Sequence, residues 1–375
     1  MRFMLLTATL SLLLCSLTGC TTLMQGRAPL PEGFTVKEVA KADAGASFAV
    51  SRNGSLAAVS KNTLSVIAPD GLSRKIADGT ASLLSFSPSG DKLAAAVPAE
   101  MQDMVRLFDG KGNMVGETTI QGKVTGIAWR SDAELFLTAV QIRKFSFGSL
   151  LTGYLYQWDG TTPPVATKLS DVTVRPALAK LPEADLLRNY QLAISPYGDE
   201  IAYTAIKDPP LFPSYQRVTI RHLESGIERD VAVNAIGSGA PLYFPDGETL
   251  LLPNDHRLTR RMSIPEAKET DAWPSPGNYP ALSPSGSFVY LDGSLYRDGK
   301  TIISFPAEAR ASFLPDGSGL VLSYRGKLHL VSGLHDKAVG SRQADKERLL
   351  TLRKLRTLGQ ITDKEYKKQK EAPEK

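Results

Sequence analysis

Cysteine is nearly absent from this 375-residue chain: there are two, Cys15 and Cys20, both within the first twenty residues. A disulfide framework is therefore excluded as a source of stability, as is a zinc site built on paired thiolates. Histidine occurs four times, as His222, His256, His329 and His335, with no two at metal-ligand spacing. They read as solvent-facing or internally satisfied strand histidines. No Gly-x-Ser-x-Gly elbow occurs, which removes the α/β-hydrolase route. Three tryptophans are too few for the Trp-bearing repeats of quinone-dependent enzymes. Asp109-Gly110-Lys111-Gly112-Asn113 places lysine where a calcium loop needs oxygen, so it reads as a hairpin turn. None of these patterns implies a cofactor or a catalytic group.

What the chain does have is a recurring phrase, an apolar stretch, a Ser-Pro-x-Gly or Pro-Asp-Gly turn, and a second apolar stretch. It reads Val50-Ser51-Arg52-Asn53-Gly54, Phe86-Ser87-Pro88-Ser89-Gly90, Ile194-Ser195-Pro196-Tyr197-Gly198, Tyr243-Phe244-Pro245-Asp246-Gly247, Leu282-Ser283-Pro284-Ser285-Gly286 and Phe313-Leu314-Pro315-Asp316-Gly317. A degraded copy stands at Trp129-Arg130-Ser131-Asp132-Ala133. A period of roughly 30 to 50 residues signals a repeat architecture, and a tight turn between apolar runs makes each unit a strand pair. Large residues (Phe48, Leu84, Leu192; then Val50, Phe86, Ile194) flank a column of small ones (Ala49, Ser85, Ala193), a strand period of two. A third strand follows in most units, as at Leu64-Ile67, Val105-Phe108, Tyr154-Trp158, Val218-Leu223 and Leu328-Val331. Several of these close in Asp-Gly or Ser-Gly, residues that supply the positive φ of hairpin turns.

The phrase resembles the TolB-type propeller repeat, an aromatic followed by Ser-Pro-Asp-Gly, over roughly residues 45 to 333. The fold class is all-β, a seven-bladed β-propeller with a short C-terminal helical hairpin. Eight blades are the alternative count, because the gap between the third and fourth units is the longest. That excess is assigned to insertions around residues 141–153 and 172–189 that interrupt the strands, with a short helical pattern from Ala184 to Arg188. The last unit offers three strands and an orphan, Phe34 to Ala40, precedes the first. That orphan is expected to close the ring as the outer strand of the final blade.

Residues 1–19 carry Arg2, the apolar run Met4 to Leu14 and then Leu17-Thr18-Gly19 before Cys20. The run is too short to span a bilayer and has the layout of a secretory signal. Leu-Thr-Gly-Cys resembles the bacterial lipobox, which implies lipidation of Cys20 and a palmitate-type anchor. By the same resemblance Thr21 suggests an outer-membrane, periplasm-facing address. Residues 20–33 read as a tether and 34–340 as the propeller.

From residue 341 the character changes, with eleven Lys and Arg against six Asp and Glu. Leu349, Leu352, Leu355 and Leu358 fit one face of a helix ending at Gly359. Thr362 and Glu365 then form a capping box, and Ile361 and Tyr366 a hydrophobic staple. This segment resembles the SHOCT domain, with its Gly-x-Ile-Thr-x-x-Glu-Tyr run and Lys-rich end. Thr362, Lys364, Glu365, Tyr366, Lys367 and Lys368 are the candidate docking residues, facing anionic lipid or an acidic partner. The competing reading is a helical tail that packs on the propeller itself. Nucleic acid is not an expected partner, since the basic tail carries no interleaved aromatics beyond Tyr366.

The function expected from all this is a membrane-anchored protein–protein interaction module of the bacterial envelope, binding another envelope protein or component through the propeller rim or axial mouth. The alternatives are a periplasmic hydrolase or lyase, with convergent acids at one mouth, and a sensor of a small ligand in the axial channel.

Overall fold

The computed structural model describes residues 23, 29–146, 148–174, 183–207, 215–234, 239–253, 258–275, 277–336 and 343–371. Seven four-stranded antiparallel sheets form the ring. From the inner to the outer strand, blade 1 uses Phe48–Val50, Leu56–Ser60, Thr63–Ile67 and Ser73–Asp78. Blade 2 runs from Leu83–Phe86 to Met114–Gln121, blade 3 from Lys123–Ser131 to Val165–Val174, and blade 4 from Leu192–Ile194 to Glu228–Asn234. Blade 5 runs from Leu242–Tyr243 to Lys268–Trp273 and blade 6 from Ala281–Leu282 to Lys300–Ser304. Blade 7 contributes Arg310–Phe313, Gly319–Tyr324 and Lys327–Ser332, and its fourth strand is Thr35–Lys41 from the other end of the chain. The expected closure is thus made, by a ladder running from Thr35 opposite Ser332 to Lys41 opposite Lys327.

The recurring turn works through its polar position just before the glycine. Asn53, Asp246 and Asp316 accept through a side-chain oxygen from the N–H two residues on, and Ser89 and Ser285 do so through their hydroxyls. The glycine itself adopts a positive φ, +85° at Gly90 and +63° at Gly247, which an L side chain rarely tolerates. Burial then falls outward along each blade: Gly319–Tyr324 is buried at every residue, whereas in Lys268–Trp273 only the last is. Fully buried Ala94, Ala95 and Ala96 let neighbouring blades approach closely.

The count is seven, so the long gap hides no eighth blade. Residues 141–153 do not interrupt the strands as expected. Glu134–Phe145 and Gly148–Trp158 pair without a register shift to Phe145 opposite Gly148, because Val140 and Leu151, buried on the two strands, hold the hairpin on the core. The short helical pattern is real: α1 (Glu183–Leu187) precedes blade 4. Blade 5 also has a third strand that the sequence reading passed over, Thr259–Ser263. Within the segment read as a tether, Leu23 is buried and Leu30 packs against the core of blades 6 and 7. Cys20 lies outside the described residues.

Candidate functional site

Each inner strand starts at one mouth of the ring and ends in a tight turn at the other, a glycine turn in every blade but the third, so the propeller has a start face and a turn face. The closing strand begins at the turn face, and the helical tail docks there. Thr35 opens opposite Ser332, beside the turn that closes at Gly317, and the helical tail sits on the turns of blades 4 and 5. That tail consists of α2 (Gln343–Thr357) and α3 (Asp363–Glu371).

α2 ends in a Schellman motif, with Gly359 N–H donating to Arg356 O and Gln360 N–H to Leu355 O. α3 begins with the capping box read from sequence: Thr362 N–H donates to Glu365 Oε2 at 2.8 Å, and Glu365 N–H to Thr362 Oγ1 at 3.2 Å. Of the leucine stripe only Leu352 is buried, and Leu358 is exposed. The most buried side chain of the helix is instead Arg353, with 1% of its surface exposed.

Arg353 grips Asp199 with two nitrogens, Nε to Oδ2 at 2.6 Å and Nη2 to Oδ1 at 3.2 Å. It also donates from Nη2 to Glu200 Oε2 at 2.7 Å and from Nη1 to the carbonyl of Gly247 at 2.7 Å, and it lies over the Tyr197 ring. A fork meeting a carboxylate in this way makes a strong, directional pair. Burial alone would raise the Asp199 carboxyl, but the Arg353 charge and hydrogen bonds, with Ser195, hold it below the usual range. Burial likewise opposes the charge on Arg353, yet Glu200 and Asp199 push its pKa up.

A second contact centres on Glu248, which accepts from the Tyr366 hydroxyl and the Lys370 ammonium and lies 3.9 Å from Arg356. These outweigh its burial and hold its carboxyl low. Burial and the bond to Glu248 push the Tyr366 hydroxyl up. Lys354 pairs with Glu224 at 2.9 Å and Lys367 with Glu266 at 2.6 Å, both at the exposed rim. Lys364 and Lys368 face solvent. Of the sequence-predicted tail residues, then, Tyr366 and Lys367 meet the propeller, Thr362 and Glu365 build the cap, and Lys364 and Lys368 stay outside. The signal missed in the sequence is Asp199-Glu200: the second strand of blade 4 opens on a buried acid where blades 1 and 6 open on the buried Leu56 and Phe288.

The start face carries a cavity of about 360 Å³ on the axis. Its lining includes Arg188, Gln191, Asn278, Tyr279, Arg310 and Phe48, from blades 1, 4, 6 and 7 and the segments that lead into them. Asp292 positions this wall, accepting from Gly277 N–H at 2.7 Å and Asn278 N–H at 2.9 Å. Asn278 in turn accepts from Arg188 Nη1 at 3.4 Å, and the Arg310 guanidinium lies 4.6 Å from the Tyr279 ring centre. The lining contains no carboxylate. A second cavity of about 340 Å³ between blades 7 and 1 does have acids at its rim, but Asp70 and Asp316 each cap their own turn.

Two of the histidines are not solvent-facing. His222 is buried with Nδ1 against the Ser225 hydroxyl at 3.1 Å, and His329 is buried with its pKa lowered by desolvation. His256 lies outside the described residues. Among the described residues no group of three His, Cys, Asp or Glu side chains gathers to hold a metal, and no helix is long and apolar enough to cross a membrane.

Fold and surface together define a seven-bladed β-propeller that carries a docked helical hairpin. In three dimensions the chain is similar to the β-propeller domain of Myceliophteria thermophila Cps50 (Swd1), at a TM-score of 0.56 and 17% identity over 79% of this chain and 99% of that one. It is also similar to a chain of the mitotic checkpoint complex, at a TM-score of 0.56 and 12% identity over 83% and 96%. Likeness at such low identity establishes the fold alone. No protein-family model matches the sequence, and no curated protein does.

Proposed function

We propose that this chain is a TolB-type propeller lipoprotein with a SHOCT-like tail, a membrane-anchored protein–protein interaction module of the bacterial envelope that takes its partner at the axial mouth of the start face. The observation that carries this reading is the division of labour between the two faces. The turn face carries the docked tail over blades 4 and 5, whereas the start face presents an open cavity with mixed polar and aromatic lining. Such a lining suits recognition, since a few fixed polar groups give orientation and aromatic walls give contact area. A propeller ring supplies a rigid frame for such a surface.

The anchor is proposed at Cys20, on the Leu17-Thr18-Gly19 motif before it, with Thr21 favouring the outer membrane. Leu23, three residues beyond Cys20, is buried in the core cluster of blades 6 and 7. An acyl group on Cys20 would therefore emerge close to the body, with the turn face toward the bilayer and the start face toward the periplasm. Two experiments test this reading. A photo-reactive residue at Ser47, on the cavity wall, should capture a discrete protein in the native envelope, and the same probe at Lys364 should not. Labelled palmitate should enter the wild type and not Cys20→Ala. Capture at Lys364 only, or palmitate in the variant, would contradict the proposal.

A further inference from the structure

Arg188 and Arg310 line one half-buried cavity, and neither meets a carboxylate among the described residues. The nearest polar partner of Arg188 is the neutral Asn278. Among the described residues Arg310 has the face of Tyr279, which fixes the plane of its guanidinium without neutralising it. The adjacent acid, Asp292, is already spent: Oδ2 accepts from Gly277 N–H and the Ser275 hydroxyl, and Oδ1 from Asn278 N–H.

Partly desolvated cations without counter-charge are costly to maintain, and several of the sheltered arginines elsewhere are paired with acids. Arg353 has Asp199 and Glu200, Arg130 has Glu134, and Arg217 has Asp230. Arg260, like the axial pair, meets only neutral partners among the described residues, the Val233 carbonyl and Asn234; what distinguishes the axial pair is that both guanidinium groups line one concave site.

We infer that the axial mouth recognises carboxylate groups on an extended acidic segment of a partner protein, with Arg188 and Arg310 as the two anion-binding residues. A planar guanidinium held on an aromatic face is pre-set for two parallel N–H···O bonds to a carboxylate. The cavity, about 360 Å³, is too small for a folded element and has room for a few residues of chain, with Phe48, Leu242 and Pro280 as apolar wall for its non-polar atoms. Asn278 and Gln191 can pair with a backbone amide between the two acids. This inference rests on the reading of the mouth as the partner-binding face.

The test uses purified full-length protein and a fluorescein-labelled octaglutamate peptide, with octaglutamine as control and free glutarate as competitor. Octaglutamate should bind with an affinity that falls as salt rises, and octaglutamine should bind at least tenfold more weakly. Arg188→Gln with Arg310→Gln should remove the difference between the peptides while leaving the melting temperature unchanged. Arg310→Lys, which keeps the charge and loses the fork, should fall between. If that double variant melts early, the single Arg310→Lys and Arg188→Lys variants carry the comparison. Equal binding of the two peptides, or unchanged binding in the variants, overturns the inference. Glutarate competing at the same concentration as the peptide also overturns it, in favour of a small dicarboxylate ligand. Failure here with a partner still captured at Ser47 would leave the proposed function standing, and failure of both would remove it.

Discussion

The strand Thr35–Lys41 and the helix Gln343–Thr357 each tie one end of the chain to the ring, the first through a backbone ladder and apolar burial, the second through charge. Val36 is buried and Phe34 packs against the core cluster of blades 6 and 7, so the N-terminal strand is continuous with that core. Arg353 instead enters between two turns whose own hydrogen bonds are complete without it. Closure is thus part of the fold, and tail docking is added to it. A buried ion cluster costs much of its Coulomb gain in desolvation, so its main effect is to select one docking register.

The largest expected effect is on the closure side. Deleting residues 34–41 removes a full ladder, the buried Val36 and the partly buried Phe34, Val39 and Ala40, which at about 1 kcal/mol per hydrogen bond and about 2 kcal/mol for a fully buried side chain exceeds roughly 5 kcal/mol. The outer edge of Lys327–Ser332 is then bare, so the variant should aggregate on gentle heating, as light scattering would show. Truncation after residue 341 should cost the ring far less, leaving a soluble propeller with its cooperative melt.

Next comes Arg353→Ala, which leaves Asp199 and Glu200 without their counter-charge. Breaking a buried pair in this way costs about 3 to 5 kcal/mol, up to the limit at which the tail simply lets go. Loss of the helical tail to limited trypsin digestion measures it. Arg353→Met combined with Asp199→Asn and Glu200→Leu should restore much of the protection, and a combined variant as labile as Arg353→Ala would show that charge is essential.

Acid should separate the two attachments as well. Asp199 and Glu248 have carboxyls held below their ordinary values in the docked state. Their ionisation therefore favours docking fully above the ordinary carboxylate value of about 4, and that contribution is lost as pH falls through the lowered values. Trypsin does not work there, so pepsin susceptibility at stepped pH is the measurement. Tail cleavage should precede cleavage near the N-terminal strand; simultaneous loss would argue against a charge-held tail.

Smaller still is Thr362→Ala with Glu365→Ala, which removes both cap bonds and should weaken α3 by about 1 to 2 kcal/mol, read as lost helicity. Lys367→Ala, at an exposed pair, should change stability by less than about 0.5 kcal/mol.

The blades were legible because the turn chemistry repeats: a glycine at positive φ after a polar acceptor recurs in five of the seven units and states the turn locally each time. The closing strand was legible as an unmatched fourth strand, and the cap of α3 as a four-residue pattern. The docking residue was not, because arginine in a helix ordinarily faces water. Only Glu200 at the head of a buried strand hinted that a cation must arrive from elsewhere. Arg188 and Arg310 are 122 positions apart in sequence and meet only through the ring. The long hairpin of blade 3 was misread because residues 141–153 mix charges with glycine, although Val140 and Leu151 tie both of its strands to the core.

The most direct test of the contrast between the two attachments is hydrogen exchange, followed by mass spectrometry, on the wild type and Arg353→Gln. The account predicts that α2 and α3 lose their protection in the variant while the amides of Thr35–Lys41 exchange as slowly as before. Helices that stay protected in Arg353→Gln, or a strand that opens with them, would contradict it.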